Sequence, residues 1–107
     1  MEAIDVHAHL NFPDFDADRA MVAERARAAG VGVINVGTDV ATSSQAVDLA
    51  EKFPDTWATV GQHPNESVPL DLAVLGDLAR RPGVVAIGEC GLDYYRSPDK
   101  AQAENFQ

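Results

Sequence analysis

Short apolar runs alternate with stretches of helical periodicity along this chain, and that alternation restricts the fold more than any other feature. Ile4-Asp5-Val6-His7-Ala8-His9-Leu10 alternates apolar and polar residues, as a strand with two unlike faces does. Val31–Gly37 is apolar on both faces, as a parallel strand covered by helices is, and Thr56–Gly61 and Val84–Gly88 read as the third and fourth strands. The intervening segments read as helices. One opens at Asp16-Ala17-Asp18-Arg19, with Asp16 as N-cap, and stops at Gly30. Val22, Ala26 and Ala29 give it a small-residue face that can lie close to a sheet. A second opens at the capping box Thr42-Ser43-Ser44-Gln45 and runs to about Lys52, ahead of Pro54. A third spans Leu70–Arg81, with Leu72, Leu75 and Leu78 on one side and Pro82-Gly83 closing it. A fourth begins after Pro98.

The order βαβαβαβα demands a parallel sheet with right-handed crossovers. Two architectures satisfy it, a doubly wound open sheet and a (β/α) barrel of the TIM type. A complete barrel takes roughly 250 residues, so 107 residues supply only the first four βα units, a half-barrel. The expectation is one incomplete domain over residues 1–107, whose first and fourth strands have unpaired edges able to self-associate. No apolar run approaches the roughly 18 to 20 residues that span a bilayer. The N-terminus lacks a signal-type pattern, and one cysteine, Cys90, fits a reducing, cytoplasmic setting. Cys90 itself reads as a small buried hydrophobe.

Polar residues gather where each strand ends. His7 and His9 close the first strand, Thr38 and Asp39 follow the second, Gln62 and His63 the third, and Glu89 and Asp93 the fourth. This is the face on which parallel α/β folds build their sites. In a strand, residues i and i+2 share a face with Cα atoms about 6.5 Å apart. The two imidazoles of His7-Ala8-His9 can therefore converge on one ion at about 2.0–2.1 Å. Asp5, one step deeper on that face, is placed to orient a ring by accepting its N–H. Glu89, between Gly88 and Gly91 after an apolar strand, is a carboxylate aimed into the same mouth and able to bridge two ions. His63, stiffened by Pro64, suits a phosphate contact, an acid or a structural hydrogen bond. Tyr94, Tyr95 and Arg96 read either as a substrate rim, with Arg96 meeting phosphate and a tyrosine stacking on a base, or as ordinary packing beside a solvated Arg96. Packing is the favoured reading for Tyr95.

Three segments, Asp5-Val6-His7-Ala8-His9-Leu10, Gly61-Gln62-His63-Pro64 and Gly88-Glu89-Cys90-Gly91-Leu92-Asp93-Tyr94-Tyr95, together resemble the TatD family of metal-dependent deoxyribonucleases. The resemblance covers the whole chain but about the N-terminal two-fifths of a typical member. It implies a (β/α)-barrel hydrolase that cleaves phosphodiester bonds in DNA at a centre of two divalent ions (Zn, Mg or Mn). It further implies that His7 and His9 hold one ion, that Glu89 bridges both, and that His63 lies near the substrate phosphate. Asp93 and Arg96 match positions behind the ligands or facing the substrate. A net charge of −9 opposes binding nucleic acid through bulk positive charge, but not an enzyme that meets phosphate through ions.

The family's further metal-binding histidines and aspartate fall on later strands. His7, His9 and His63 are the only histidines here, and Ala103-Glu104-Asn105-Phe106-Gln107 ends in mid-helix. The expectation is a truncated chain, inactive as a nuclease by itself. Rival readings are another amidohydrolase-like metallohydrolase acting on small molecules, or a non-catalytic metal-binding, dimerising half-barrel. A nucleotide-binding open sheet is disfavoured, since neither G-x-G-x-x-G nor G-x-x-x-x-G-K-[ST] occurs.

Overall fold

The computed structural model describes residues 1–66 and 68–95; Arg96 and the helix expected after Pro98 lie outside the described residues. The elements run β1 (Ala3–Ala8), a 3₁₀ turn (Pro13–Phe15), α1 (Arg19–Ala28), β2 (Val31–Val36), α2 (Val40–Lys52), β3 (Thr56–Val60), α3 (Leu72–Ala79) and β4 (Val84–Ile87). The four strands form one sheet in the order β1-β2-β3-β4, and every pairing is parallel. Strand order decides between the two architectures. A doubly wound sheet reverses direction at a switch point; here each strand is added beside its predecessor with no reversal. Uniform right-handed crossovers in one direction place successive helices on one face, as in a (β/α) barrel. The fold is α/β of that type, comprising four strands and the helices between them.

Burial follows from this arrangement. The core lies between the two central strands and the helices, in adjoining clusters of Leu10, Ala23, Val33 and Leu49 and of Ala46, Val47, Ala58 and Val60. At the margins Val6, on β1, is 67% exposed and Ile87, on β4, is 63% exposed. Most of the apolar strand β4 is therefore left without cover among the described residues.

Several helix limits differ from those the sequence suggests, each for a local reason. Asp16 does not cap α1. It follows the 3₁₀ turn and pairs with Arg19 at 2.7 Å, so that Asp18 becomes the N-cap. The capping box at α2 lies three residues earlier than its Thr-x-x-Gln pattern suggests. The Asp39 carboxylate accepts the Thr42 amide at 2.7 Å, while the Thr42 hydroxyl accepts the Asp39 amide at 3.1 Å. At α3 the Asp71 carboxylate caps Val74 and starts the helix at Leu72. Leu72 then falls off the packed side and is 71% exposed, whereas Leu75 is buried.

Candidate metal centre

Glu89 is brought to the centre of the strand-end rim by main-chain bonds to two neighbouring strands. Its amide donates to Gly37 O at 2.8 Å, and the Gly88 amide donates to Val60 O at 3.0 Å. The Thr59 hydroxyl donates to Gly88 O at 2.9 Å. The Gly88–Glu89 peptide is cis. Gly61 makes this approach possible. A Cβ there would stand 2.7 Å from both Glu89 O and Gly88 C. Gly37 is similarly pressed from the other side, where a Cβ would stand 2.7 Å from the Ser43 Cα. The buried Ser43 hydroxyl in turn accepts the Gly61 amide at 3.1 Å.

Around this carboxylate stand all three histidines. Glu89 Oε2 lies 3.6 Å from His7 Nε2 and 4.0 Å from His9 Nε2, while Oε1 lies 3.8 Å from His63 Nε2. These separations are too long for hydrogen bonds. Two donors on one ion, each about 2.0–2.1 Å from it, stand at most about 4.2 Å apart, and both the His7 and His9 pairings to Oε2 fall inside that limit. Donor atoms of His7, His9 and Glu89 all lie within 4.8 Å of one another. Imidazole and carboxylate suit Zn and Mn, and carboxylate also suits Mg.

The neighbours of each imidazole distinguish its role. His9 Nδ1 lies 3.0 Å from Val36 O. A carbonyl only accepts, so Nδ1 carries the proton and Nε2 keeps its lone pair for a metal. The ring is also stacked on Phe12, with centroids 4.2 Å apart, and meets His7 edge-on at 5.0 Å. His63 is the reverse case. The Asn65 main-chain N–H donates to its Nδ1 at 3.1 Å. A neutral His63 must then carry its proton on Nε2, the nitrogen nearest Glu89.

The other expected residues fall as follows. Asp5 does not reach a ring; its Oδ1 accepts the His7 main-chain N–H at 3.0 Å and so steadies the strand end. Asp93 accepts the Asn65 side-chain amide at 3.0 Å and the Tyr95 main-chain amide at 3.0 Å. Tyr94 is half-exposed on the loop beyond Glu89, and Tyr95 is 94% exposed, so it is not packing. Cys90 is exposed and not a buried hydrophobe, because the chain has left β4 before reaching it. Thr38 and Asp39 are engaged at the start of α2. Gln62 is buried, its side-chain amide donating to Val68 O at 2.8 Å. Sequence reasoning overlooked Phe12, Asn65 and the Val36 carbonyl. Only Asn65 left a signal, a side chain able to bond locally two positions after His63.

Fold and site together define a class: parallel βα units wound as in a barrel, with a His-His-carboxylate cluster at the strand-end rim of a size that holds a divalent ion. The sequence model of the "TatD related DNase" family matches residues 4–107, and the chain belongs to that family. It is 42% identical over 109 aligned positions to the 3'-5' ssDNA/RNA exonuclease TatD of Salmonella typhimurium, covering 96% of this chain and 42% of that protein. It is 39% identical to the uncharacterized metal-dependent hydrolase YabD of Bacillus subtilis, covering 96% of this chain and 43% of that protein. Among solved structures it superposes on YJJV, a TatD homolog from Escherichia coli K12, with a TM-score of 0.75 and 31% identity, over 94% of this chain and 42% of that one. The chain thus spans about two-fifths of the length of these relatives.

Proposed function

We propose that residues 1–107 form the metal-holding N-terminal part, an incomplete domain, of a hydrolase that cleaves phosphodiester bonds in DNA at a centre of two divalent ions. The observation that carries this reading is the single carboxylate of Glu89 with three imidazole Nε2 atoms within 4.0 Å. His7 and His9 would hold one ion through Nε2. Glu89 would serve both, since Oε2 is the oxygen paired with His7 and His9 and Oε1 the one paired with His63. Divalent ions bound there would activate water and offset the charge of the phosphate. That offset matters for a chain of net charge −9 acting on a polyanion. His63 would donate its Nε2–H to a phosphate oxygen, Tyr94 would stack on a base, and Arg96 would pair with phosphate. Asp5 and Asp93 would hold the main chain around these groups. The naming of relatives as an ssDNA/RNA exonuclease and a metal-dependent hydrolase supports the same reading.

Two ions need at least four ligand positions each, whereas His7, His9 and Glu89 together present two imidazole Nε2 atoms and two carboxylate oxygens. We therefore expect the 107-residue chain to bind metal without being a competent nuclease. Titration calorimetry with MnCl2 and ZnCl2 should show binding that Glu89→Gln weakens by about 100-fold, the upper end of what outer partners alone contribute. The product of the whole reading frame should degrade 5'-labelled single-stranded DNA in a chelator-sensitive manner, and the same substitution should abolish this. Chelator-sensitive DNA cleavage by the 107-mer would overturn the expected inactivity. Hydrolysis of small esters or amides with DNA left intact would favour the small-molecule reading.

The exposed apolar residues Ile4, Val6, Val85 and Ile87 on the marginal strands favour a second reading, a metal-binding half-barrel that pairs with its own copy. Light scattering of the purified chain distinguishes it, since that reading requires a dimer.

A further inference from the structure

We propose that Asn65 is a positioning residue that acts through His63, holding it as the Nε2–H tautomer and tying that donor to the loop carrying Glu89. The inference rests on the reading of His63 as a donor, and it deepens that reading by naming what fixes the donor.

Asn65 uses its two hydrogen-bonding ends on two different loops. Its main-chain N–H donates to His63 Nδ1 at 3.1 Å. An amide can only donate, so this bond excludes a proton from Nδ1 and leaves Nε2 as the protonated nitrogen. The Asn65 side-chain amide donates to Asp93 Oδ2 at 3.0 Å, across 28 positions of sequence. Asp93 is itself fixed from within its own loop, because its Oδ1 accepts the Tyr95 main-chain N–H at 3.0 Å. Behind the ring, the His63 main-chain N–H donates to Thr38 O at 2.8 Å, and the His63 carbonyl accepts the Glu66 amide at 3.0 Å.

The chain Asp93–Asn65–His63 thus spans the gap between the loop after β3 and the loop after β4. At its far end His63 Nε2 stands 3.8 Å from Glu89 Oε1. If the Asp93 tie is cut, the Asn65 N–H at Nδ1 and the spacing to Glu89 each lose one of their restraints. The same imidazole chemistry is set in the opposite sense at His9, where Val36 O forces the proton onto Nδ1. Backbone partners therefore separate one donor from one ligand, and Asn65 controls the donor.

The test is a charge-swap cycle read by NMR on the 15N-labelled, metal-free chain at about pH 8, above the usual imidazole range. Long-range 1H–15N correlations report the two ring nitrogens of His63 separately. In the parent chain the Nδ1 and Nε2 resonances should be widely separated, as for one tautomer. Asn65→Asp sets a carboxylate against Asp93. It should lower the tautomer ratio about two- to tenfold, the worth of one hydrogen bond, and draw the resonances together. Asn65→Asp combined with Asp93→Asn restores a donor–acceptor pair with its direction reversed and should restore the separation. A residue needed only for folding would give no such rescue. If Asn65→Asp loses its dispersed amide spectrum, Asn65→Ala carries the same comparison. An unchanged His63 ratio in the single variants, or no recovery in the double variant, overturns the proposal.

Calorimetry with MnCl2 on the parent chain reads the metal centre separately. If the parent binds no Mn2+ while the tautomer cycle behaves as expected, the metal-centre reading fails and the positioning role stands. If Mn2+ binds while the tautomers do not respond, the reverse holds.

Discussion

Replacing Gly61 with alanine tests the packing that delivers Glu89 to the histidines. The added Cβ would stand 2.7 Å from Glu89 O, 2.7 Å from Gly88 C and 2.8 Å from Gly88 O, where ordinary contact begins at 3.4 Å. All three atoms are main chain and none can rotate away, so the end of β4 must withdraw by roughly 0.7 Å. That retreat exceeds the slack in the site. Glu89 Oε2 is already 4.0 Å from His9 Nε2, against a limit of about 4.2 Å for two donors on one ion. It also stretches the 2.8 Å bond from the Glu89 amide to Gly37 O. Overpacking of this kind costs about 1–3 kcal/mol, and displacing a ligand by such a distance lowers metal affinity about 10- to 100-fold. Urea unfolding and Mn2+ calorimetry read the two effects. Gly76→Ala is the control, because a Cβ there meets nothing within 4 Å and the site lies within α3. That change should stabilise by about 0.5–1 kcal/mol and leave metal binding unaltered. If Gly61→Ala matched the parent in both assays, the account of how Glu89 is placed would be wrong.

Two further outcomes follow from the helices. Asp39→Ala removes the capping box of α2 and should cost about 1 kcal/mol, seen as a fall in Tm of about 4–8 °C; no fall would mean that the cap is idle. Arg81 donates to Glu51 through Nε at 2.8 Å and Nη2 at 2.7 Å. These bonds hold the Glu51 carboxyl below its ordinary value of 4.5, while Arg81 is raised and stays charged. A depressed carboxyl stabilises the fold above its unfolded pKa and loses that contribution as pH falls through its folded value. The difference in urea midpoint between the parent and Glu51→Gln should therefore be constant above about pH 4.5 and disappear below it. A difference that persists undiminished to about pH 3 would exclude the pair as its source.

Much of the fold is visible in the primary structure because its determinants are local. Apolar period, glycine stops and capping residues act within a few positions, and they place four strands and three helices close to their observed bounds. Errors arise where two local signals compete. Asp16 and Asp18 are both able to cap; Asp16 pairs with Arg19 instead, and Asp18 takes the N-cap position without a side-chain cap bond. Asp39 precedes Thr42, and the carboxylate takes the cap position that the hydroxyl pattern suggested. The spacing of His7 and His9 suggests a shared strand face, but β1 ends at Ala8 after a register shift beyond Asp5, so the meeting of the two rings rests on the turn that follows the strand.

What residues 1–107 determine by themselves is therefore the βα order, the candidate metal-donor side chains and the end of the sheet at which they sit. Tertiary structure decided matters that depend on atoms far apart in sequence. The unreversed strand order settles barrel winding over an open sheet, and no local pattern encodes which edge the next strand joins. The approach of Glu89 to His7 and His9 spans some eighty positions and depends on the bare backbone at Gly37 and Gly61. The proposed roles of His9 as ligand and His63 as donor depend on which polar group each Nδ1 meets, Val36 O in one case and the Asn65 N–H in the other. An imidazole takes its tautomer from its neighbour, and packing chooses that neighbour.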